Sequence, residues 1–461
     1  MTAAIRIALG VGALVGAVSG GRASAQTPTA GCVSVIGAPF GARGDGLADD
    51  TRVIQQAVDG ARCVFLPAGT YRTTRAIVLG AGRRLIGAGR DTTVLHQVVK
   101  PEPGSVGNGT TDYDVVRIEG GGVLMSDLTL QGPMTGVPPL LASARGQKGL
   151  SVQPPDTASR ISLLRLAVVG VQANGISIWN GVSDVYLCDV LVADAGNEGV
   201  YVTFGAWGIT ARRLSVERVR SWAFDTNGGH IGLLDFAIRD TGDSSQVDDG
   251  GGVTWTADDA SAVRTDVRIV GGTLENVIGS AVNITVPQSE GVEATDAVVA
   301  DVRIRAGIRS TAPGVFVSTA GGARKGRLRG AWLERLDLEN VTLSVQNSTD
   351  LFVRDCRVVN RLPLPPGAGP AGQGIRIDSS LPGDRGQIGV TGCRVSGWQI
   401  GIMWQAVRSG YAAGNCLAGN TEAADAFAEG VRQRVTRAPD ECDVPSAKPV
   451  HSPAPFPSSR I

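Results

Sequence analysis

An excess of charge of either sign is missing from this chain. Lysine plus arginine and aspartate plus glutamate both number 43, so the formal net charge is zero. A nucleic-acid-binding protein needs surplus basic side chains to meet phosphates, and the composition argues against that class. Aromatic residues are also scarce, at 5%, whereas glycine is abundant, at 64 residues. This balance favours many turns and thin, regular layers over a bulky core.

Common metal and phosphate motifs are also missing. The seven cysteines include no C-x-x-C pair and no cysteine–histidine cluster, which argues against a zinc site. No nucleophile elbow, phosphate loop or dinucleotide fingerprint occurs. The absence of these motifs argues against zinc enzymes, hydrolases with a nucleophile elbow and nucleotide-binding enzymes, and it indicates no other class.

Long apolar runs are confined to the beginning of the chain. There, Arg6 precedes the apolar stretch IALGVGALVGAVSG, and Ala23-Ser24-Ala25 matches a cleavage site before Gln26. We therefore expect residues 1–25 to be a signal peptide. The apolar run is short for a membrane span, so we expect a mature protein that is soluble and either secreted or periplasmic.

Export permits disulfide bonds. Cys32 and Cys63 flank the first motif of the mature chain, and Cys416 and Cys442 frame its C-terminal part, so both pairs are candidates. Because the number of cysteines is odd, at least one thiol has no partner within the chain.

A repeat is present in the middle of the chain. The segments RISLLRLAVVGVQANGISIWN, DVYLCDVLVADAGNEGVYVTF and GITARRLSVERVRSWAFDTNG begin at Arg160, Asp184 and Gly208, so the repeat is 24 residues long. Each holds short apolar alternations of period two separated by small or polar residues, which predicts strands. Such a unit cannot bury its apolar face alone, but parallel stacking of copies does bury it. Leucine-rich repeats and propeller blades fit less well, and the pattern predicts a parallel β-helix.

The stretch FGARGDGLADDTRVIQQAVDG, Phe40 to Gly60, contains the one clear helical pattern. Its apolar residues fall on one helix face: Val53, Ile54, Ala57 and Val58. We expect Asp49 or Asp50 to cap the first amides and Gly60 to end the helix in a left-handed conformation. Because a solenoid has an exposed core at its end, we interpret this helix as its cap.

The same stretch carries a family resemblance. FGARGDGLADDTRVIQQAVDGARCVFLPAGTYRTT, followed by LIGAG, resembles the N-terminal segment of the pectate lyase superfamily, which includes pectate-lyase-like and polygalacturonase-like enzymes, mannuronan epimerases and phage tailspikes. The resemblance covers Val33 to about Leu95 and implies an all-β fold, a single-stranded right-handed parallel β-helix with an N-terminal capping helix. It also implies a polysaccharide-directed protein. In this family the segment has a structural and not a catalytic role, so it does not distinguish a hydrolase from a lyase, an epimerase or a binding protein.

The domain organisation follows from these patterns. We expect a signal peptide at residues 1–25, one β-helix domain at residues 26–435, and a Pro/Ser-rich disordered tail at residues 436–461. Within the domain, residues 31–95 form the capping helix and first coils. The sequence specifies no oligomeric state.

Function must lie on outward columns or loops, because inward residues of a β-helix form its core. The alternation predicts this outward column: Ser177, Tyr201, Asp225, Thr254, Asn283 and Phe316. Two residues further on, a companion column is predicted: Trp179, Thr203, Asn227, Thr256, Thr285 and Ser318. This polar and aromatic face fits either a sugar-binding groove or a solvated sheet surface.

The segments SWAFDTNGGH and DTGDSSQVDDGGGVTW form the richest polar patch. The catalytic candidates are Asp225, His230, Asp248 and Asp249. The candidates for substrate contact are Tyr201, Trp222, Asn227, Arg220 and Thr254. His230 shares a column with Arg160, Asp184 and Gly208, and a simple turn role is the alternative for it.

Two reaction classes fit this patch. Carboxylates on neighbouring coils stand about 5 Å apart, so Asp225 with Asp248 or Asp249 makes an acid–base pair for hydrolysis. Lyases and epimerases instead need a base plus a cation that neutralises the uronate carboxylate. Tyr201 or His230 then serves as the base. Arg218, Arg220 or a calcium ion held by the three aspartates supplies the cation.

One motif favours the second class. WAFDTNGGH is similar to the YGFDPH motif of mannuronan epimerases at Phe224 and Asp225, with Trp222 in the tyrosine's place and the histidine displaced to His230. The proline is missing. No cofactor is required by the sequence, and calcium stays an open alternative.

The leading hypothesis is a secreted carbohydrate-active enzyme acting on a uronate-containing, acidic polysaccharide by lyase or hydrolase chemistry. The alternative is a non-catalytic glycan-binding or surface-structural β-helix, and a uronate epimerase is the further alternative. Neither a nucleic-acid partner nor a membrane span is expected.

Overall fold

The computed structural model describes residues 31–100, 112–136, 138, 146–203, 205–243, 250–256, 266–286, 293–306, 313–319, 327–364, 369–378, 387–407, 409–428, 431 and 435–437. The predicted signal peptide and the chain beyond Arg437 lie outside these residues, so both remain predictions. Within the described part of the chain, no helix is long and apolar enough to cross a membrane.

The described strands pair in parallel and form two sheets. The narrow sheet has 13 strands: Ile77–Leu79, Val116–Ile118, Leu150–Val152, Ile176–Ile178, Val200–Val202, Phe224–Thr226, Gly251–Thr256, Ser280–Val286, Val315–Thr319, Leu343–Gln346, Gln373–Asp378, Ile400–Gln405 and Ala423–Phe427.

The broad sheet has 25 strands and makes up the other two faces of each coil: Val33–Ser34, Asp45–Asp49, Cys63–Leu66, Gly69–Thr73, Arg84–Gly87, Thr93–Gln97, Leu124–Gln131, Ile161–Val171, Ser183–Cys188, Leu191–Ala195, Trp207–Arg212, Ser215–Val219, Gly229–Leu234, Ala237–Arg239, Val267–Glu275, Glu293–Thr295, Ala297–Arg305, Arg327–Glu334, Asp337–Glu339, Thr349–Arg354, Arg357–Val359, Ile388–Thr391, Arg394–Ser396, Gly410–Ala413 and Val435–Arg437. The predicted right-handed parallel β-helix is confirmed.

The 24-residue repeat corresponds to one coil. Ile161 pairs with Val185, Val185 with Ile209, and Ile209 with Ile231, so equivalent residues of successive coils stack in one inward column. These side chains are buried in a single continuous apolar core. Because burial of apolar surface is the main driving force of folding, this column explains why the sequence alternates as it does.

One α-helix occurs among the described residues, Thr51–Gly60, and it packs Ile54, Ala57 and Val58 into the core. The predicted apolar face is confirmed, and so is the predicted cap for Asp49, whose carboxylate accepts a hydrogen bond from the Thr51 backbone N–H at 3.0 Å. Asp50 occupies the N-cap position, yet its carboxylate accepts hydrogen bonds from the backbone N–H groups of Arg43 and Gly44. The helix ends without a left-handed glycine, because Ala61 follows in an extended conformation with φ −129°.

Charged residues occupy a tight corner between the two strands that each coil contributes to the broad sheet. Successive coils place these residues there, all in the left-handed region with φ between 51° and 62°: Asp127, Arg165, Asp189, Arg213 and Asp235. Arg165 contacts Asp127 and Arg213 contacts Asp189 through paired hydrogen bonds. This alternation of acid and base lets neighbouring coils meet at the corner without like-charge repulsion.

The longer connections flank the narrow sheet instead. The chain passes from Gln131 to Leu150 and from Arg239 to Gly251 before entering that sheet, and from Thr256 to Val267 and from Val286 to Glu293 after leaving it. Because loops carry most binding and catalytic residues, this asymmetry singles out the outward face of the narrow sheet.

The disulfide predictions are partly confirmed. Cys32 and Cys63 are bonded to each other across a separation of 31 residues. Cys416 is also disulfide-bonded, whereas Cys442 lies outside the described residues. Cys188, Cys356 and Cys393 are free thiols.

Candidate active site

The predicted outward column is confirmed by the strand register. Ser177 pairs with Tyr201, Tyr201 with Asp225, and Asp225 with Thr254. The column continues through Asn283 and Phe316. Neighbouring strands lie about 4.8 Å apart, so the phenol of Tyr201 and the carboxylate of Asp225 start from adjacent backbone positions on the same face.

Exposure divides this column into a closed end and an open part. Ser151 and Ser177 are completely buried, whereas Tyr201 and Asp225 are half-buried. The amide of Asn174 donates a hydrogen bond to Ser177 Oγ at 3.2 Å, which fixes the closed end. The accessible face therefore begins at Tyr201.

Hydrogen bonds organise the column beyond Asp225. Asn283 donates from Nδ2 to Thr254 Oγ1 at 3.4 Å, and Thr285 donates its hydroxyl to Asn283 Oδ1 at 2.8 Å. These contacts join the outward column to its companion, since Thr285 follows Thr256 in register. The predicted substrate contact Thr254 is 4% exposed, so it supports Asn283 more than it presents its own hydroxyl.

A buried polar cluster at the closed end was missed in the sequence. Asp114 accepts a hydrogen bond from the Lys148 backbone N–H at 2.9 Å and another from the Ser151 hydroxyl. Burial raises the pKa of Asp114 to about 6, although Lys148 and the Ser151 hydroxyl act in the opposite direction. The only signal in the sequence is a carboxylate two residues before a narrow-sheet strand, Val116–Ile118.

Arg220 lies in the turn that leads into the Asp225 strand. Its Nε donates to the Pro138 carbonyl oxygen at 2.8 Å, and its Nη1 lies 3.3 Å from Asp243 Oδ2. These contacts hold the guanidinium against the connections that precede the strands Leu150–Val152 and Gly251–Thr256. The other predicted cation, Arg218, pairs with Asp194 at 2.8 Å and with Glu217 next to the broad sheet.

Trp222 and Asn227 flank the Asp225 strand. Trp222 is 7% exposed and its ring occupies the space above Gly251, where a Cβ atom would lie 2.7 Å from it. The indole therefore acts mainly in packing of the turn. Asn227 is half-buried in the companion column, with its backbone N–H bonded to the Val202 carbonyl.

His230 does not lie with Asp225. It is the second residue of the broad-sheet strand Gly229–Leu234 and has a left-handed backbone conformation with φ 51°. Its ring stands edge-on to Trp207 with centroids 4.1 Å apart, and its Nδ1 contacts Asp266. The predicted column is confirmed, since the equivalent residues Asp184 and Gly208 are left-handed too. The structure therefore separates His230 from the narrow sheet.

The remaining predicted carboxylates, Asp248 and Asp249, lie outside the described residues. Their pairing with Asp225, and any calcium site built from the three aspartates, stays a prediction. Within the described ranges, no group of three or more acidic, histidine or cysteine side chains is placed to hold a metal ion.

Comparisons with known proteins agree with this architecture. Residues 34–226 match the family described as rhamnogalacturonase A/epimerase, pectate lyase-like. Mannuronan C5-epimerase AlgE3 of Azotobacter vinelandii is 28% identical over 194 residues, which cover 39% of this chain and 10% of the epimerase. The pre-neck appendage protein of Bacillus phage phi29 is 27% identical over 182 residues, covering 37% of this chain and 20% of that protein. The chain thus spans a small part of the curated relatives it matches.

Two solved structures are similar along most of the chain. The Dettilon tailspike protein aligns with a TM-score of 0.48 and 13% identity, covering 86% of this chain and 68% of the tailspike. The A-module of mannuronan C-5 epimerase AlgE6 of Azotobacter vinelandii aligns with a TM-score of 0.45 and 15% identity, covering 87% of this chain and 98% of the module. The parallel coils make this chain a right-handed parallel β-helix protein, and its residues 34–226 are similar to the pectate lyase-like family.

Proposed function

We propose that this protein is a carbohydrate-active enzyme that removes the proton beside the carboxylate of a uronate unit, as polysaccharide lyases and uronate epimerases do. The observation that carries the proposal is the register match between Tyr201 and Asp225 at the open end of the narrow sheet's outward column. A phenol beside a carboxylate is a proton donor beside a proton acceptor, which is the pair that such chemistry needs.

The proton transfer can be assigned to these groups. A basic form of the Tyr201–Asp225 pair takes the C5 proton, and the electron pair left on carbon delocalises into the uronate carboxylate. In a lyase the C4–O bond then breaks and the departing oxygen takes a proton from the pair. In an epimerase C5 takes a proton from a water molecule on the opposite face, and the resulting hydroxide is neutralised by the proton that the pair releases. Atoms and charges balance in both routes without an added oxidant or reductant.

Arg220 supplies the cation that the developing charge requires. Its guanidinium is 34% exposed and two of its contacts, to Pro138 and Asp243, hold it in place. Arginine has five N–H donors in a fork that matches a carboxylate, so donors remain for substrate. Fixed charge aimed at the position where charge develops lowers the barrier.

The names of two matched relatives support the same chemistry. One matched protein is a mannuronan C5-epimerase, and another, 38% identical over 71 residues that cover 13% of this chain and 8% of that protein, is alginate lyase 7 of Azotobacter vinelandii. Hydrolysis is less favoured, because among the described residues both strand neighbours of Asp225 in this column, Tyr201 and Thr254, lack a carboxylate.

The test is an activity panel with the mature chain on mannuronate, guluronate and galacturonate polymers and on neutral glycans, with and without calcium. Appearance of the ultraviolet band of unsaturated uronate identifies a lyase. Deuterium uptake from heavy water at C5 without chain cleavage identifies an epimerase. New reducing ends without unsaturation would identify a hydrolase and contradict the proposal.

A second candidate is glycan binding without turnover. It is favoured by the match to a phage appendage protein, which covers a share of this chain similar to that of the epimerase match. The same panel separates the two, because a binder retains polysaccharide in a pull-down while every product assay stays at background.

A further inference from the structure

A polar cavity opens on the outward face of the narrow sheet, further along from Asp225. Its volume is about 260 Å³, close to the lower limit of small-molecule sites. Its lining combines ring, hydroxyl, amide and guanidinium groups: Pro313, Phe316, Ser344, Gln346, Pro370 and Arg376.

The three central residues belong to the column that contains Asp225. Phe316 pairs with Ser344 and Ser344 with Arg376, each at the outward position of its strand. Phe316 is three strands beyond Asp225 and Arg376 is five strands beyond it. At about 4.8 Å per strand the cavity begins roughly 14 Å from Asp225, on the same face.

The chemistry of this cavity suits a sugar that carries a carboxylate. The phenyl ring of Phe316 offers an apolar surface for the C–H face of a pyranose, and the half-buried Gln346 offers hydrogen bonds to its hydroxyl groups. Ser344 is 5% exposed and lies between Phe316 and Arg376 in the column. Arg376 has a side chain that is 21% exposed, and its guanidinium fork matches a carboxylate in two hydrogen bonds.

Asp378 positions this arginine. Its Oδ2 accepts a hydrogen bond from Arg376 Nη2 at 3.2 Å, while its own side chain is 27% exposed. One acidic contact leaves further N–H donors of the guanidinium for a ligand. Since both side chains are partly screened from water, their interactions with an incoming carboxylate are stronger than on an open surface.

We propose that the cavity at Phe316, Ser344 and Arg376 is a distal binding subsite for one uronate unit of the polysaccharide whose reacting unit lies at Asp225. This inference rests on the proposed function for the identity of the polysaccharide. A chain lying along the outward column occupies both places at once, so the subsite raises affinity and places the reacting unit.

The experiment measures binding in a chain that cannot turn over. Uronate trisaccharides of the mannuronate, guluronate and galacturonate series, each with its carboxyl-reduced neutral counterpart, are titrated calorimetrically into the Asp225→Asn variant. We expect at least one acidic trisaccharide to bind more tightly than its neutral counterpart. Adding Arg376→Gln should weaken the acidic ligand about tenfold to a hundredfold and remove the preference for it. Adding Phe316→Ala should weaken both ligands.

Arg117 provides the matched control. It also occupies the outward position of a narrow-sheet strand, at the opposite end of the column, and its side chain is 20% exposed. Arg117→Gln should leave the affinity for the trisaccharide unchanged. Equal weakening by Arg117→Gln and Arg376→Gln would show general charge attraction and overturn the subsite.

A substitution at Asp378 distinguishes two causes of weaker binding: loss of the attraction between Arg376 and the ligand, and repulsion of the ligand by the Asp378 carboxylate. Arg376→Gln leaves a carboxylate without its arginine, which by itself repels an anionic ligand. The double variant Arg376→Gln with Asp378→Asn removes that charge, and we expect its affinity to stay low. Recovery of wild-type affinity in the double variant would overturn the proposal.

Failure of the subsite and failure of the proposed function give different results. If uronate polymers are bound or converted but Arg376→Gln changes nothing, only the subsite is wrong. If no uronate polymer or oligosaccharide binds to any form of the protein, both proposals are wrong. Circular dichroism and thermal melting of each variant verify that the β-helix is retained.

Discussion

Tyr201 and Asp225 occupy matching positions on the neighbouring parallel strands Val200–Val202 and Phe224–Thr226, and both point outward from the narrow sheet. Their inward neighbours Val200 and Phe224 are completely buried. The positions of the phenol and the carboxylate are therefore fixed by the core beneath them. A site on packed strands holds its geometry better than one on loops.

Removing either functional group should reduce turnover without unfolding the protein. We expect Tyr201→Phe and Asp225→Asn each to lower kcat on the uronate polymer by about 10²–10⁴, the usual contribution of acid–base groups. Both substitutions keep the shape of the side chain, so the circular dichroism spectrum and melting temperature should stay close to those of the wild type. Thr210→Val, at an outward position of the broad sheet, is the matched control and should retain full activity. Full activity in both site variants would exclude this pair from the chemistry.

His230 should be dispensable for turnover. The sequence hypothesis gave it an acid–base role, but the structure places it on the broad sheet against Trp207 and Asp266. We expect His230→Gln to leave kcat and KM within about threefold of the wild type. A loss comparable to that of an acid–base residue, about 10² or more, would restore His230 to the reaction.

The sequence predicts the fold better than the site, and the reason is physical. Inward columns repeat because every coil must bury the same face, so Ile161 and Val185 reveal their stacking through spacing alone. Outward groups need not repeat. The contact between His230 and Asp266 crosses a long connection after Arg239, which removes the 24-residue spacing that would have revealed it.

The capping of the helix shows a similar limit. Asp49 and Asp50 both fit an N-cap in sequence, but Asp50 instead binds the backbone of Arg43 and Gly44, which approach only after the first coil has closed. Local propensity predicted the helix and its apolar face. The contact of Asp49 with the Thr51 backbone N–H is local and follows from the sequence, whereas the partners of Asp50 depended on tertiary structure.

The disulfide between Cys32 and Cys63 should stabilise the first coil. It ties the strand Val33–Ser34 to Cys63–Leu66, and its separation of 31 residues corresponds to about 2–4 kcal/mol of unfolding free energy. We expect the Cys32→Ser/Cys63→Ser double variant to unfold at lower denaturant concentration by that amount. The Cys32→Ala/Cys63→Ala double variant should be destabilised by the same amount if the lost bond, rather than the side-chain exchange, is responsible. Cys188→Ser, which removes a free thiol, should leave the transition nearly unchanged.

Asp114 should make stability depend on pH in a direction opposite to that of a surface carboxylate. Burial raises its pKa from 3.8 to about 6 in the folded protein. Below the unfolded pKa the group is protonated in both states and its burial carries no charge penalty. As pH rises from about 4 to about 6 the unfolded chain releases this proton while the folded state retains it, so about 3 kcal/mol of stability is lost by the time both states are ionised.

The measurement compares the wild type with Asp114→Asn by chemical denaturation at several pH values between 4 and 8. We expect the free energy of unfolding of the wild type, relative to the variant, to fall between about pH 4 and pH 6 and then to level off. The variant also changes the contacts with the Lys148 backbone N–H and the Ser151 hydroxyl, which shifts its whole curve by a constant amount. Asp112→Asn, a change at the 71% exposed carboxylate nearby, should give a curve parallel to that of the wild type. A constant difference between wild type and Asp114→Asn across the range would show that Asp114 stays ionised in the folded protein, through its contacts with Lys148 and Ser151.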